Sequence, residues 1–138
     1  MNGRFLGALL FVASGLFAQA QATGLADDTI RRDLIGAWVV PKESSDYSDF
    51  NSHMVETFRA DGTYSAIIYN PDDCHKALQK IEAKWSVQNG ILISAYPNGG
   101  GAKDQVLEID DNSVTLRSLD DGTTYTRARA GECGTPIS

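Results

Sequence analysis

Two cysteines, two histidines and four prolines are all that this 138-residue chain holds of the residues that most often staple, ligate or interrupt a fold. The histidines, His53 and His75, lack His-x-His or His-x3-His spacing, so no metal and no cofactor is expected. There is no Cys-x-x-Cys, which removes the motif that lowers a thiol pKa in redox pairs. No serine sits in a Gly-x-Ser-x-Gly elbow, and no Ser-His-Asp set is legible. The triplet Gly99-Gly100-Gly101 lacks the Gly-Lys-Ser/Thr ending and the helix of a phosphate loop, so it reads as a flexible loop. Basic residues are outnumbered, 12 Lys and Arg against 18 Asp and Glu, for a formal charge of −6. An acidic chain repels phosphate, which argues against nucleic acid and anionic lipid as partners. No apolar run reaches the ~20 residues of a spanning helix, so no stable membrane insertion is expected.

What is present begins with a targeting segment. Arg4 supplies a positive start, Phe5 to Phe17 is an uncharged apolar run, and Ala18-Gln19-Ala20 and Ala20-Gln21-Ala22 both fit a small-x-small cleavage site. Residues 1–22 therefore read as a signal peptide and 23–138 as one domain, periplasmic or secreted. No cysteine follows the apolar run, which argues against a lipid anchor. In an oxidising compartment Cys74 and Cys133 read as one disulfide between a mid-chain loop and the C-terminal tail.

Tight-turn signals divide the rest. Asp61-Gly62, Asn89-Gly90, Asp110-Asp111-Asn112 and Asp121-Gly122 each separate runs rich in β-branched and aromatic residues. Such pairs tolerate the positive φ of a hairpin turn and so join antiparallel neighbours. The expected strands start at Ala37, His53, Thr63, Lys80, Ile91, Asp104, Ser113 and Thr123. Asp27 and Asp28 cap a short helix over Thr29–Ile35, and Cys74–Gln79 reads as one helical turn. The fold class is all-β: an eight-stranded antiparallel up-and-down barrel with a short N-terminal helix.

Alternation assigns the faces. Ile81, Ala83, Trp85 and Val87 share one face of their strand; Met54, Glu56 and Phe58 share another, as do Tyr64, Ala66 and Ile68, Val114 and Leu116, and Tyr125 and Arg127. This parity turns two charges, Glu56 and Arg127, toward the interior. A buried charge is costly unless paired, so each requires a partner or a wet cavity.

Taken together, the short helix, Gly36-Ala37-Trp38 at the first strand, the eight-strand meander and an arginine on the last strand resemble the lipocalin and lipocalin-like β-barrels. Phe58, Asp61-Gly62-Thr63-Tyr64, Trp85 and Asn89-Gly90 look like the pattern of small bacterial lipocalin-like proteins, most of which have no assigned function. The resemblance implies that an arginine packs across Trp38 at the closed end; Arg127 is the first choice and Arg129 the second. It also suits a disulfide from a mid-chain loop to the tail. The family's Thr-Asp-Tyr motif lies between late strands, whereas Ser45-Asp46-Tyr47 falls in the first loop and is given no weight. A barrel of this size is filled by its own side chains or holds one small ligand.

The expected function is binding of a small hydrophobic or amphipathic molecule, with Glu56, Tyr64, Trp85, Tyr96 and Tyr125 as ligand-binding residues, Trp38 and Arg127 as structural ones, and a mouth built from Lys42–Asn51 and Pro97–Ala102. One alternative is a barrel-type inhibitor that inserts the arm Thr23–Asp28 into a secreted protease. Another is an enzyme with Glu56 as general base, set against Glu56 as a structural acid bonded to a tyrosine or to Arg127.

Overall fold

Backbone dihedrals follow the turn signals. Gly62, Gly90 and Gly122 have φ of 84°, 77° and 74°, and Asn89 joins them at 54°. Side chains finish the turns: Asp61 Oδ1 accepts from the Thr63 amide at 2.9 Å, Asp110 Oδ1 from the Asn112 and Ser113 amides at 2.8 Å each, and Asp121 Oδ1 from the Thr123 amide at 2.9 Å. These Asx bonds replace water at amides that no strand partner reaches.

The computed structural model describes residues 24–137; the expected signal peptide lies outside them. A helix α1 (Asp27–Leu34) precedes strands β1 (Gly36–Val39), β2 (Met54–Phe58), β3 (Thr63–Asn70), β4 (Asp73–Gln88), β5 (Ile91–Ala95), β6 (Gly101–Ile109), β7 (Ser113–Ser118) and β8 (Thr124–Arg129). Every strand pairs antiparallel with its sequence neighbours, and β8 returns to β1 through Trp38–Arg129 and Val39–Ala128, which closes the barrel. Closure leaves one shared interior, and alternation along each strand turns Phe58, Tyr64, Ala66, Ala83, Val87, Leu92, Val106, Val114 and Leu116 toward it.

Two elements differ from expectation. Cys74–Gln79 is not a helical turn but part of the 16-residue strand β4. Register shifts near Ile68–Asn70 let β3 and β4 stay paired to Asn70–Asp73, and pairing with a neighbour overrides local propensity. Strand β6 also begins earlier than expected, at Gly101, because Ala95 and Ser94 pair with Gly101 and Ala102. The disulfide is present: Cys74 and Cys133, 59 residues apart in sequence, are bonded.

Helix α1 closes one end. Ile30 and Leu34 are fully buried, while Ile35, the last residue of the expected helix, lies past the observed helix end and is exposed. The helix has no side-chain N-cap. Asp27 instead reaches the β4–β5 turn, where its carboxylate accepts from the Asn89 and Gly90 amides at 2.9 and 2.7 Å. Those two bonds hold Asp27 below the usual carboxylate range. Arg31 adds a 2.6 Å bond to the Val87 carbonyl.

The same end corrects the arginine assignment. Arg129, not Arg127, lies over the Trp38 indole, 3.9 Å from the ring centroid. Its guanidinium donates to the carbonyls of Asp33, Ile35 and Asp111, tying α1 to the β6–β7 turn. Trp38 in turn donates from Nε1 to the Leu34 carbonyl at 2.8 Å. Gly36 makes room: its φ is +128°, and an added Cβ would sit 2.7 Å from Arg129 Nη1. The reason for the exchange is depth. Arg127 and Arg129 share a strand face, but the register sets Arg129 opposite Trp38 and Arg127 two residues further into the barrel.

Candidate functional site

Above the Trp38 floor, the interior is not filled. A cavity of about 320 Å³ extends toward the end of the barrel opposite α1. Its lower wall is apolar, from Leu34, Trp38, Phe58, Leu92, Val114 and Leu116. Its upper part is polar, from Asp46, Glu56, Ser94, Asp104 and Arg127, with the hydroxyls of Tyr64, Tyr96 and Tyr125 among them. The volume lies at the lower edge of the range for small-molecule sites, and an apolar wall with a few convergent polar groups is their usual composition.

Strand parity correctly brings Glu56 and Arg127 inside, and each satisfies the other. Arg127 Nε donates to Glu56 Oε2 at 2.5 Å. Glu56 Oε1 accepts from the Tyr64 hydroxyl at 2.7 Å. Arg127 is then gripped from the far side by Asp46, with Nη1 to Oδ1 at 3.0 Å and Nη2 to Oδ2 at 2.8 Å, while Nη1 also donates to the Thr126 carbonyl. Its guanidinium stacks over the Tyr125 ring, 4.6 Å from the centroid. Burial alone would lower the Arg127 pKa; the two carboxylates outweigh it and push the pKa up, so the side chain stays charged. Burial acts on Asp46 in the opposite sense, and the bonds from Arg127 and Ser44 hold its carboxyl below the ordinary value.

Asp46 comes from the loop 40–53, whose segment Lys42–Asn51 was expected to form part of the rim. The loop extends the β1–β8 seam by side chains where β1 has ended. Ser44 Oγ accepts from the Thr126 amide and donates to Asp46, and Ser45 Oγ donates to the Thr124 carbonyl. Asn51 Nδ2 fixes the Asp46 carbonyl at 2.8 Å. Ser45-Asp46-Tyr47, set aside in the sequence, thus delivers an interior carboxylate. The second expected rim segment, Pro97–Ala102, contributes only Ala102, with Tyr96 just before it; a third, the β7–β8 turn with Asp121 and Thr123, was not foreseen.

Asp104 was also missed. It lies on β6 and is 9% exposed. Burial pushes its carboxyl pKa up, the nearby charge of Glu56 adds to this, and the Tyr125 hydroxyl only partly offsets it. Tyr125 and Tyr64 are themselves pushed up, first by burial and then by the carboxylates they face, so both remain protonated donors. Tyr96, half-buried, is raised by burial and by Glu56 and Asp104.

Of the five expected ligand-binding residues, Glu56, Tyr64, Tyr96 and Tyr125 line the cavity. Trp85 does not. Its ring packs edge-on against Phe58 at 5.4 Å and 84°, and its Nε1 donates to the Arg59 carbonyl at 2.9 Å, so it belongs to the core near the β2–β3 turn. A wider hollow of about 700 Å³ lies where β4 and β5 part, with the charged Arg59, Lys80, Glu82 and Lys84 beside apolar residues such as Ala83, Ala95 and Pro97. Lys80, Glu82 and Lys84 are exposed, and Lys80 pairs with Glu82 at the surface at 2.8 Å. The buried polar array singles out the interior cavity.

Comparison with known proteins shows the fold. A lipocalin-like protein from Bacteroides uniformis superposes with a TM-score of 0.55 at 17% identity, covering 70% of this chain and 98% of its own. An uncharacterised protein from Bacteroides eggerthii gives a TM-score of 0.55 at 12% identity, with the same coverage of 70% and 98%. No family model and no curated protein sequence matches the chain. The architecture is therefore that of a lipocalin-like barrel.

Proposed function

We propose that this protein is an exported barrel that binds one small hydrophobic or amphipathic molecule in its interior. The observation that carries the reading is the cavity above Trp38, apolar below and polar above, within a barrel whose opposite end is sealed by α1. An interior meant only for stability would be packed to crystal-like density, and polar groups would be absent from it. Here three tyrosines and five charged side chains line open space.

Glu56 is a poor candidate for a general base. One oxygen accepts from Tyr64 and the other from the Arg127 cation, so the carboxylate is engaged as a hydrogen-bonded, ion-paired acceptor within the array. The inhibitor alternative loses the last two residues of its expected arm. Asp27 and Asp28 belong to α1, and Asp27 is bound to the β4–β5 turn.

Native mass spectrometry of the protein purified from its own cell envelope tests the proposal. The expected result is a non-covalent adduct of one small organic molecule that is lost on unfolding. A bare protein found in stoichiometric complex with a protease would overturn it.

A further inference from the structure

The interior charges do not balance. Arg127 is the one cation of the cavity among the described residues, and Asp46 and Glu56 both bind it. Two carboxylates against one guanidinium already leave the array net negative. Asp104 adds a third carboxylate, and it makes no ion pair with any described residue. It is 9% exposed, lines the cavity, and has the Tyr125 hydroxyl as its hydrogen-bond partner, with Arg127 acting on it only through space. Burying an unpaired carboxylate is unfavourable and has no benefit for the fold. A group that costs stability and faces a void is a mark of a ligand site.

An anionic guest is disfavoured by the same geometry. Arg127 would be its natural anchor, but the guanidinium already makes four hydrogen bonds, to Glu56, Thr126 and twice to Asp46. Nearby carboxylates repel an anion, and the Tyr64 and Tyr125 hydroxyls are already committed to Glu56 and Asp104.

Resting on the proposed interior binding site, we infer that the ligand is a small organic cation, an amine carried on an aromatic or apolar body, with Asp104 as its counter-ion. The ammonium group donates to Asp104 and to the oxygens of Tyr96 and Tyr125, while the apolar body lies on Leu92, Val114 and Leu116. The ammonium restores neutrality to Asp104, and the rings of Tyr96 and Tyr64 give it aromatic edges and faces. Asp104 is faced by Tyr125 and Arg127 from β8, Glu56 from β2, Tyr96 from the β5–β6 loop and Asp120 from the β7–β8 turn. Protonation of Asp104 removes the counter-ion, so amine affinity falls as the pH drops through its raised pKa.

Isothermal titration with three probes of one shape tests this: 2-phenylethylamine, 2-phenylethanol and 3-phenylpropionate. The amine is expected to bind tighter than the alcohol by about tenfold to a hundredfold, the worth of one charge-assisted hydrogen bond, with the carboxylate weakest. In Asp104→Asn the preference for amine over alcohol collapses. Alcohol binding equal to or tighter than amine binding overturns this inference and leaves interior binding standing. Tightest binding of the carboxylate, or an amine preference that survives Asp104→Asn, also overturns it. No binding of any probe defeats both the inference and the site on which it rests.

Discussion

Replacing Arg127 by methionine is the sharpest perturbation of the interior array. The change keeps much of the apolar stem but removes the only cation that Asp46 and Glu56 share. Removing one partner from a buried pair leaves an uncompensated charge and costs roughly 3–5 kcal/mol. For a domain of this size that is a fall in Tm on the order of 10–20 °C. Urea unfolding followed by fluorescence measures it well, because Trp38 and Trp85 are both buried. The midpoint should fall with little change in slope, since the surface exposed on unfolding is nearly unchanged. The pH dependence identifies the cause. In the parent chain Asp46 is depressed below its unfolded value, so its contribution is present above that value and is lost on acidification through the folded pKa. In Arg127→Met the Asp46 carboxyl loses the bond that holds it down and burial raises it instead. The folded form then favours the proton, and stability is recovered as the pH is lowered from 7 toward 5. Opposite slopes are therefore expected for the two proteins. Adding Asp46→Asn and Glu56→Gln to Arg127→Met should restore most of the loss at pH 7. A loss under about 1 kcal/mol, or one that does not change with pH, would refute a buried, mutually dependent array.

Three further outcomes follow from the same structure. Asp104→Asn should raise Tm at neutral pH, because a carboxyl raised in the folded state stabilises below its unfolded pKa and loses that contribution as pH rises; the gain should vanish near pH 4, which differential scanning calorimetry at two pH values checks. Arg129→Met removes the cation over Trp38 and the bonds that hold α1, so about 1–3 kcal/mol should be lost and hydrogen exchange in Asp27–Leu34 should quicken. Replacing both Cys74 and Cys133 by serine opens a 59-residue loop and should cost on the order of 4 kcal/mol in chemical unfolding, with the native methyl spectrum of the barrel retained.

The strand ladder was legible because its turns are local chemistry. Asp61-Gly62 and Asp121-Gly122 place an Asx bond and a positive φ within three residues, and nothing distant alters that. Glu56 and Arg127 were legible because parity carries a side chain to a face regardless of its polarity. The same rule could have found Asp104, which alternates with Val106 on β6; both are buried. Asp46 was not accessible to such reasoning. It lies in a loop without periodicity, and its position depends on bonds to Thr124, Thr126 and Asn51 that only the closed β1–β8 seam creates. The exchange of Arg127 for Arg129 over Trp38 has a similar origin. Alternation gives the face of a residue but not its depth, and depth is set by interstrand register.

The claim on which the functional account depends is that the space above Trp38 admits a guest. Titration of methyl-labelled protein with 2-phenylethylamine, followed by NMR, tests it most directly. Saturable shifts at Leu34, Leu92, Val114 and Leu116, which line the cavity, are the predicted result. Shifts confined to the exposed Leu78, Ile81 and Ile137, or no saturable shift at all, would contradict it.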